Sequence, residues 1–250
     1  MNIVVCVKRV PDSSARIKVG ADNRTIDPAG VEYVLNPYDE FAVEEALKIK
    51  EKAGAGEVTI LALGGPESAE TIRKGLAMGA DKGIHLKEGT TGRDFIATAQ
   101  AIAAELKGRP LDLLLFGNKA IDDDGTQVAA MVATLLGLPF VGVITKLELN
   151  GRTATAHRPV EGGVEVVEVA LPASFSAQKG LNEPRFASLK GIMAAKKKPL
   201  EEKPAAAGEP RMELVKLDNP PARPAPRIVG TGKDAVPALM KLLREEAKVI

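Results

Sequence analysis

The chain has 250 residues, 45% hydrophobic and 27% charged, with a net charge of +1 at pH 7. That length buries a substantial core, and the near-neutral charge offers no global field for nucleic acid or an anionic membrane. Absence of Trp and an aromatic content of only 3% argue against a base-stacking platform; a single cysteine excludes an intrachain disulfide; two histidines, His85 and His157, argue against a multi-histidine metal centre.

The chain opens directly on the strand-like NIVVCVKRV. It shows no charged leader with a long apolar run, and no run approaches a membrane span, so a cytoplasmic protein without direct membrane insertion is expected. IVVCV (3–7) reads as a buried strand. NPYDEFAVEEALKIKEKAG reads as a helix, with Asn36 as N-cap, Pro37 at the first helical position, Asp39 supplying early negative charge and Gly54 after the end. EVTILAL (57–63) is the next strand. ESAETIRKGLAMGA is the next helix, with Ile72, Leu76 and Ala80 at helical spacing. GIHL is a short strand. RDFIATAQAIAAELKG is a helix, and LDLLLF (111–116) is a strand that leads through FGNKAIDDDG into the helix TQVAAMVATLLG. These strands are continuous apolar runs rather than alternating ones, the pattern of strands covered on both faces. The expected fold class is therefore α/β, a parallel sheet flanked by helices.

After about residue 141 the pattern changes. TKLELNGRTATAHRPVEGGVEVVEVALP is strand-rich, with Asn150-Gly151 as a type I′ turn signal and Gly162-Gly163 as a second turn, so an added β-hairpin region is expected. Beyond Met193 the chain is rich in Pro, Ala and charge and closes on an amphipathic helix at roughly 234–248. The expected organisation is an α/β domain at 1–198 and an extended C-terminal arm at 199–250, ordered by lying on a partner subunit.

Ligands of open α/β sheets sit beyond the carboxyl ends of the strands. Four segments converge there: 6–14, 36–39, 63–66 and 117–127. In the last, Asp124 stands three residues before Gln127, a capping-box pattern. Gly125, Thr126 and Gln127 would then open the helix, with free amides and the positive dipole end suited to a phosphate, and Gly117 would let the backbone approach a ligand. From local pattern alone the aspartates could instead cap and solvate a helix start, ahead of holding Mg²⁺ or serving acid–base chemistry. Cys6 reads as a small core residue or a reactive thiol, His85 as structural, and Lys196, Lys197 and Lys198 as a solvated helix end or a docking patch for an acidic partner.

VCVKRVPD, LNPYDEFAVEEALKIKE, ETIRKGLAMGADKGIHL, GNKAIDDDGTQVA and LNEPRFASLKGIMAAKKKP, in that order, resemble the beta subunit of electron transfer flavoprotein, from the first strand to about Lys198. The resemblance implies an adenine-nucleotide-binding α/β fold. It also implies a heterodimer with an alpha subunit that holds the redox-active FAD. The pair would accept electrons from acyl-CoA dehydrogenase-type flavoproteins and pass them to a quinone oxidoreductase, with no catalytic site in this chain. The beta subunit would bind AMP as a structural ligand and no metal. The implied AMP contacts are Cys6, Asn36, Pro37, Tyr38, Asp39, Gly64, and the loop of Gly117, Asn118, Lys119, Ala120, Ile121, Asp122, Asp123, Asp124, Gly125, Thr126, Gln127 and Val128. A partner-recognition loop falls near 179–198, with Leu181 as an exposed apolar anchor, Asn182, Glu183 and Pro184 beside it, and Arg185, Lys196, Lys197 and Lys198 for electrostatic steering. Ser13 and Arg158 fall near the flavin of the partner. Two alternatives accompany this reading. One is a bifurcating relative with a second FAD in the AMP site, which Asp123 disfavours. The other is a nucleotide-sensing or ATP-using module, for which there is no GxxxxGK[ST] run.

Overall fold

The structure is a computed structural model that describes residues 1–88, 93–222 and 225–250. Two residues of the expected C-terminal arm, 223 and 224, therefore lie outside the described residues. In chain order the first half contains β1 (Asn2–Cys6), β2 (Arg9–Pro11), β3 (Tyr33–Leu35), α1 (Pro37–Ala53), β4 (Glu57–Gly64), α2 (Ser68–Met78), β5 (Lys82–Lys87), α3 (Phe95–Leu106), β6 (Leu113–Gly117) and α4 (Val128–Leu136). The second half adds β7 (Phe140–Ile144), β8 (Lys146–Asn150), β9 (Thr153–Val160), β10 (Gly163–Ala170), β11 (Ala173–Ala177), α5 (Leu189–Ala195), β12 (Leu200–Pro204) and α6 (Ala235–Glu245).

Seven strands form a parallel sheet in the order β12-β5-β4-β1-β6-β11-β7. Its two faces are both buried, which explains the continuous apolar runs. Successive side chains of β1 point to opposite faces, so Ile3 and Val5 join the core under α1 and α2, whereas Val4 and Cys6 join the core under α3 and α4. The chain runs outward from β1 through β4 to β5 and then returns to place β6 on the other side of β1. The space beyond the carboxyl ends of β1 and β6 is thus the point where strand order reverses, the usual ligand crevice of such sheets.

The α1 boundaries match the sequence: Asn36 is the N-cap, Pro37 opens the helix, and Gly54 closes it in the left-handed conformation with φ 67°. The Asn36 side chain makes no capping bond, however; it is engaged elsewhere. The strand-rich region is an antiparallel sheet, β10-β9-β8. Its first turn differs from the expected type, and the second falls where a turn was expected. Asn150 pairs with Thr153, so the central residues are Gly151 and Arg152, and only Gly151 has positive φ. Val160 pairs with Gly163, so Glu161 and Gly162 are central, and only Gly162 has positive φ. A type I′ turn requires positive φ at both.

Residues 200–204, charged and without an apolar run, join the main sheet as edge strand β12, and Lys203 pairs with Glu105 and Glu201. The chain divides into two compact units, Met1–Leu217 and Asp218–Ile250. In the second, α6 has no buried side chain, and Arg227 pairs with Glu246 at 3.0 Å. No helix among the described residues is long and apolar enough to cross a membrane.

Candidate nucleotide site

A cavity of about 1320 Å³ opens at the carboxyl ends of β1, β4 and β6. Its floor is a knot of polar side chains. Asp39, on the first turn of α1, accepts the Lys8 amide at 2.7 Å and the Gly117 amide at 3.1 Å, so one carboxylate ties together the chain leaving β1 and the end of β6. Asn36 donates to Asp39 Oδ1 and to the Lys119 carbonyl, each at 2.9 Å, and accepts from the Ile121 amide at 3.2 Å. The expected N-cap is therefore a cross-brace for the aspartate loop. Gly117 is required for this closeness. A Cβ there would stand 2.7 Å from the Asp39 nitrogen and from the Tyr38 carbonyl carbon. It admits the start of α1 against the end of β6, and it also lines the cavity.

Burial pushes the Asp39 carboxyl up to about 7, against the hydrogen bonds from Asn36, Lys8 and Gly117 that favour its charged form. The folded chain therefore keeps a proton that the unfolded chain releases near pH 4. This group's contribution to stability is complete below pH 4 and is lost as pH rises through about 7. Chemical denaturation from pH 5 to 8 is expected to give a falling stability component that Asp39→Asn removes. Cys6 lies beside this group. Burial, with the Asp39 charge second, holds its thiol well above its ordinary value, so Cys6 is a neutral cavity wall rather than a reactive thiolate.

The aspartate triplet is organised differently from a capping box. Asp124 and Thr126 have φ of 50° and 53°, and α4 begins only at Val128, with Gln127 as an N-cap that makes no side-chain bond. Gly125, Thr126 and Gln127 are thus not the first helical residues. Tertiary partners explain the difference. Lys8 Nζ holds Asp122 at 2.8 Å and Asp123 at 2.7 Å, Asp123 also accepts the Gly125 amide at 2.9 Å, and Lys119 holds Asp124 at 2.9 Å. The first intrahelical bond runs from the Met131 amide to Gln127, which leaves the amides of Val128, Ala129 and Ala130 at the positive end of the helix. The free helix-start amides that the sequence placed at 125–127 are therefore those of 128–130. Asp122 and Asp123 converge on an ammonium, and no group of three or more metal-type ligands occurs among the described residues.

Of the expected contacts, Cys6, Asn36, Asp39 and Gly64 line the cavity, as do Gly117, Asn118, Lys119, Ala120, Asp123, Thr126, Gln127 and Val128. Pro37 lines a separate groove, and Tyr38, Ile121, Asp122, Asp124 and Gly125 do not line the cavity. Gly125 packs on the Phe95 ring, which closes the loop against α3. Buried His85 supports Gly64 from below: its Nε2 lies 3.1 Å from the Gly64 carbonyl and 3.0 Å from that of Gly65, which makes Nε2 the protonated donor.

Several cavity residues were not singled out from the sequence. They include Lys8, Arg9 stacked 3.6 Å over Tyr33, Arg24, Phe95, and the stretch from Pro210 to Leu214. Lys8 fell within the 6–14 segment without a role of its own. Lys8→Ala is expected to change stability by less than about 1 kcal/mol, because its pairs are partly exposed. It should nevertheless weaken binding of an anionic nucleotide about tenfold through the two uncompensated carboxylates, as read by titration calorimetry.

The expected recognition loop lies elsewhere on the unit, against α1 and α2. Leu181 was expected to be exposed; it is half-buried and packs on the main core. Asn182 donates to the Phe41 carbonyl at 3.0 Å and to Glu45 at 2.9 Å. Glu183 is exposed, and Pro184 lines an apolar groove of about 780 Å³. Arg185 was expected to steer partners, but it is bound to Glu44 at 2.8 Å and to Glu51 at 2.5 Å, which neutralise it and raise its pKa further. Lys198 turns inward to the carbonyls of Leu76 and Ala80 at the end of α2, leaving Lys196 and Lys197 on the surface. The most open apolar side chains of the loop are Phe186, 99% exposed, and Leu189, 76% exposed, with Met193 and Ile192 less so. Ser13 is exposed in a turn set by Asp12, and Arg158 pairs across the hairpin with Glu165 at 3.2 Å; neither lines the cavity.

Residues 24–207 match the model of the electron transfer flavoprotein domain family. The chain is 44% identical over 225 residues to an electron transfer flavoprotein subunit beta of Syntrophomonas wolfei, covering 90% of this chain and 88% of that one. It is 41% identical to the Bacillus subtilis subunit beta over the full length of both, and 36% identical to the Homo sapiens subunit beta over 98% of each. With a parallel sheet, a crevice at its reversal point and these relatives, the chain belongs to the electron transfer flavoprotein family, on the side of its beta subunits.

Proposed function

We infer that this chain works in electron transfer as the beta subunit of a heterodimer, with AMP as a structural ligand in the cavity beyond β1 and β6. The observation that carries the AMP reading is the combination at that cavity. The start of α4 offers unpaired amides at 128–130, Thr126 and Gln127 flank them, and the Asp39–Asn36 knot fixes the loop that carries them. This donor set suits a phosphate, and the adjoining apolar walls, Cys6, Leu63, Phe116 and Ile102, suit a base.

FAD, carried by the alpha subunit, supplies the one redox chemistry of the assembly. The beta chain's residues hold and orient without a catalytic site of their own. Its hairpin sheet exposes Val164 and Val166, and the 218–250 unit leaves α6 without a buried face; both are surfaces for the alpha subunit. Acyl-CoA dehydrogenase-type flavoproteins deliver electrons by docking on the loop at 179–198, and a quinone oxidoreductase receives them, in a cytoplasmic cycle. The apolar anchor of the loop is Leu189 with Phe186 beside it, rather than Leu181. Two exposed apolar side chains on a loop braced by Arg185, with Lys196 and Lys197 nearby, form a small hot spot with a charged rim. A small interface of this kind suits quickly dissociating electron-transfer partners.

Co-expression with the partner subunit tests this reading. One FAD per heterodimer, reduced by an acyl-CoA dehydrogenase with its substrate, is the expected result. Two flavins per heterodimer would establish the second-FAD alternative, and a preparation without flavin would overturn the electron-carrier reading.

A further inference from the structure

The stretch after β12 looks like a linker in the sequence, yet it runs as a strap across the mouth of the cavity. Pro210, Arg211, Met212, Glu213 and Leu214 form part of the cavity wall. The strap is fixed at its start by the Ala205 amide, which donates to the Lys87 carbonyl at 3.0 Å, and by Arg93, which donates to the Ala206 carbonyl at 2.7 Å. At its end the Leu217 amide donates to the Asn23 carbonyl at 2.7 Å. Between these anchors residues 209–216 are exposed. The Glu209 amide donates to Gln100 at 2.8 Å, and Glu213 lies 3.6 Å from Arg24.

Asp94 is the centre of that attachment. Its Oδ1 caps α3 by accepting the Ala97 amide at 2.9 Å, while its Oδ2 accepts two strap amides, Arg211 at 2.5 Å and Met212 at 2.9 Å. Partial desolvation pushes this carboxyl up, but the amides of Ala97, Arg211 and Met212 outweigh it and hold it below the usual carboxylate range. Gly208 makes the seating possible. It lies flat on the first turn of α3, where a Cβ would stand 2.7 Å from the Ala97 carbonyl oxygen. Residues 208–217 lie beyond the stretch matched by the family model, which ends at 207.

We propose that Asp94 is a positioning residue that latches the 205–217 strap over the nucleotide cavity, so that release of the strap from Asp94 sets how fast the nucleotide exchanges. The proposal rests on the nucleotide reading of the cavity. The bonds that hold the two ends of the strap are independent of Asp94, so the middle lifts as a hinged segment while the sheet and α3 stay in place. A nucleotide held beneath the strap is then retained by a small number of charge-assisted bonds to one carboxylate, and each opening exposes it to solvent.

Asp94→Asn separates latch from cap. The amide oxygen still accepts the Ala97 amide, because Asn is a good N-cap, whereas the new NH₂ faces the Arg211 and Met212 amides donor to donor. Gly208→Val lifts the same strap without touching Asp94. In the co-expressed heterodimer loaded with radiolabelled AMP and chased with unlabelled AMP, both variants are expected to release label about tenfold faster or more. Both are expected to be cut by trypsin after Arg211 correspondingly faster, with little change in the melting of the helices. Wild-type release rates in both variants would overturn the proposal, as would faster release with unchanged cleavage. If the wild type retains no label, the nucleotide reading itself fails; cleavage after Arg211, which needs no nucleotide, distinguishes that failure from an unlatched strap.

Discussion

Gly117→Ala is expected to be among the most damaging single-atom changes in the chain. The added methyl would meet the backbone of Tyr38 and Asp39, not the end of a flexible side chain, so α1 has to move away from β6. That separation breaks the bond from the Gly117 amide to Asp39 and disturbs those from Asn36 to the Lys119 carbonyl and from the Ile121 amide to Asn36. Overpacking against backbone, with buried acceptors left unsatisfied, costs about 3 kcal/mol, or a fall of about 10 °C in Tm for a chain of this size. Scanning calorimetry reads the loss of stability. Nucleotide content of the purified variant reads the loss of the site, and both should fall together, because one carboxylate organises the two.

The second large effect concerns docking. Leu189→Ala, with or without Phe186→Ala, is expected to slow reduction of the heterodimer by an acyl-CoA dehydrogenase about thirtyfold, the loss of about 2 kcal/mol at a hot-spot side chain. Nucleotide content and melting temperature should stay at wild-type values, because both side chains are open to solvent. Leu181→Ala is expected to show the reverse pattern. It packs on the core, so truncation should cost about 1–2 kcal/mol of stability with little direct effect on docking. Stopped-flow reduction at varied dehydrogenase concentration separates the two: a docking defect appears in the half-saturating concentration, and a stability defect does not.

The sheet was legible because both faces of its strands are covered. Ile3 to Cys6 reads as one apolar run for the same reason that alternate residues of β1 enter two different cores. The ends of α1 were legible because Pro37 and Gly54 act through local backbone geometry. The aspartate loop was not. Asp124, Gly125, Thr126 and Gln127 satisfy a capping-box pattern, but Lys8, more than a hundred residues away in the chain, decides where Asp122 and Asp123 point. The same applies to the recognition loop. Arg185 reads as a free surface charge until Glu44 and Glu51 on α1 are seen to hold it. Strand β12 and the strap were invisible for a different reason. An edge strand pairs on one side only and needs no apolar run. The strap's bonds go to Asp94 and Gln100, whose separation in sequence leaves no periodic trace.

The proposed function stands on AMP being a structural ligand of the cavity beyond β1 and β6, rather than a substrate or a second flavin. Denaturing the co-purified heterodimer, separating the released nucleotides and quantifying each against protein tests it most directly. One AMP and one FAD per heterodimer is the predicted result, with the AMP lost on Gly117→Ala and the FAD retained. Two FAD and no AMP, or no adenine mononucleotide at all, would contradict it.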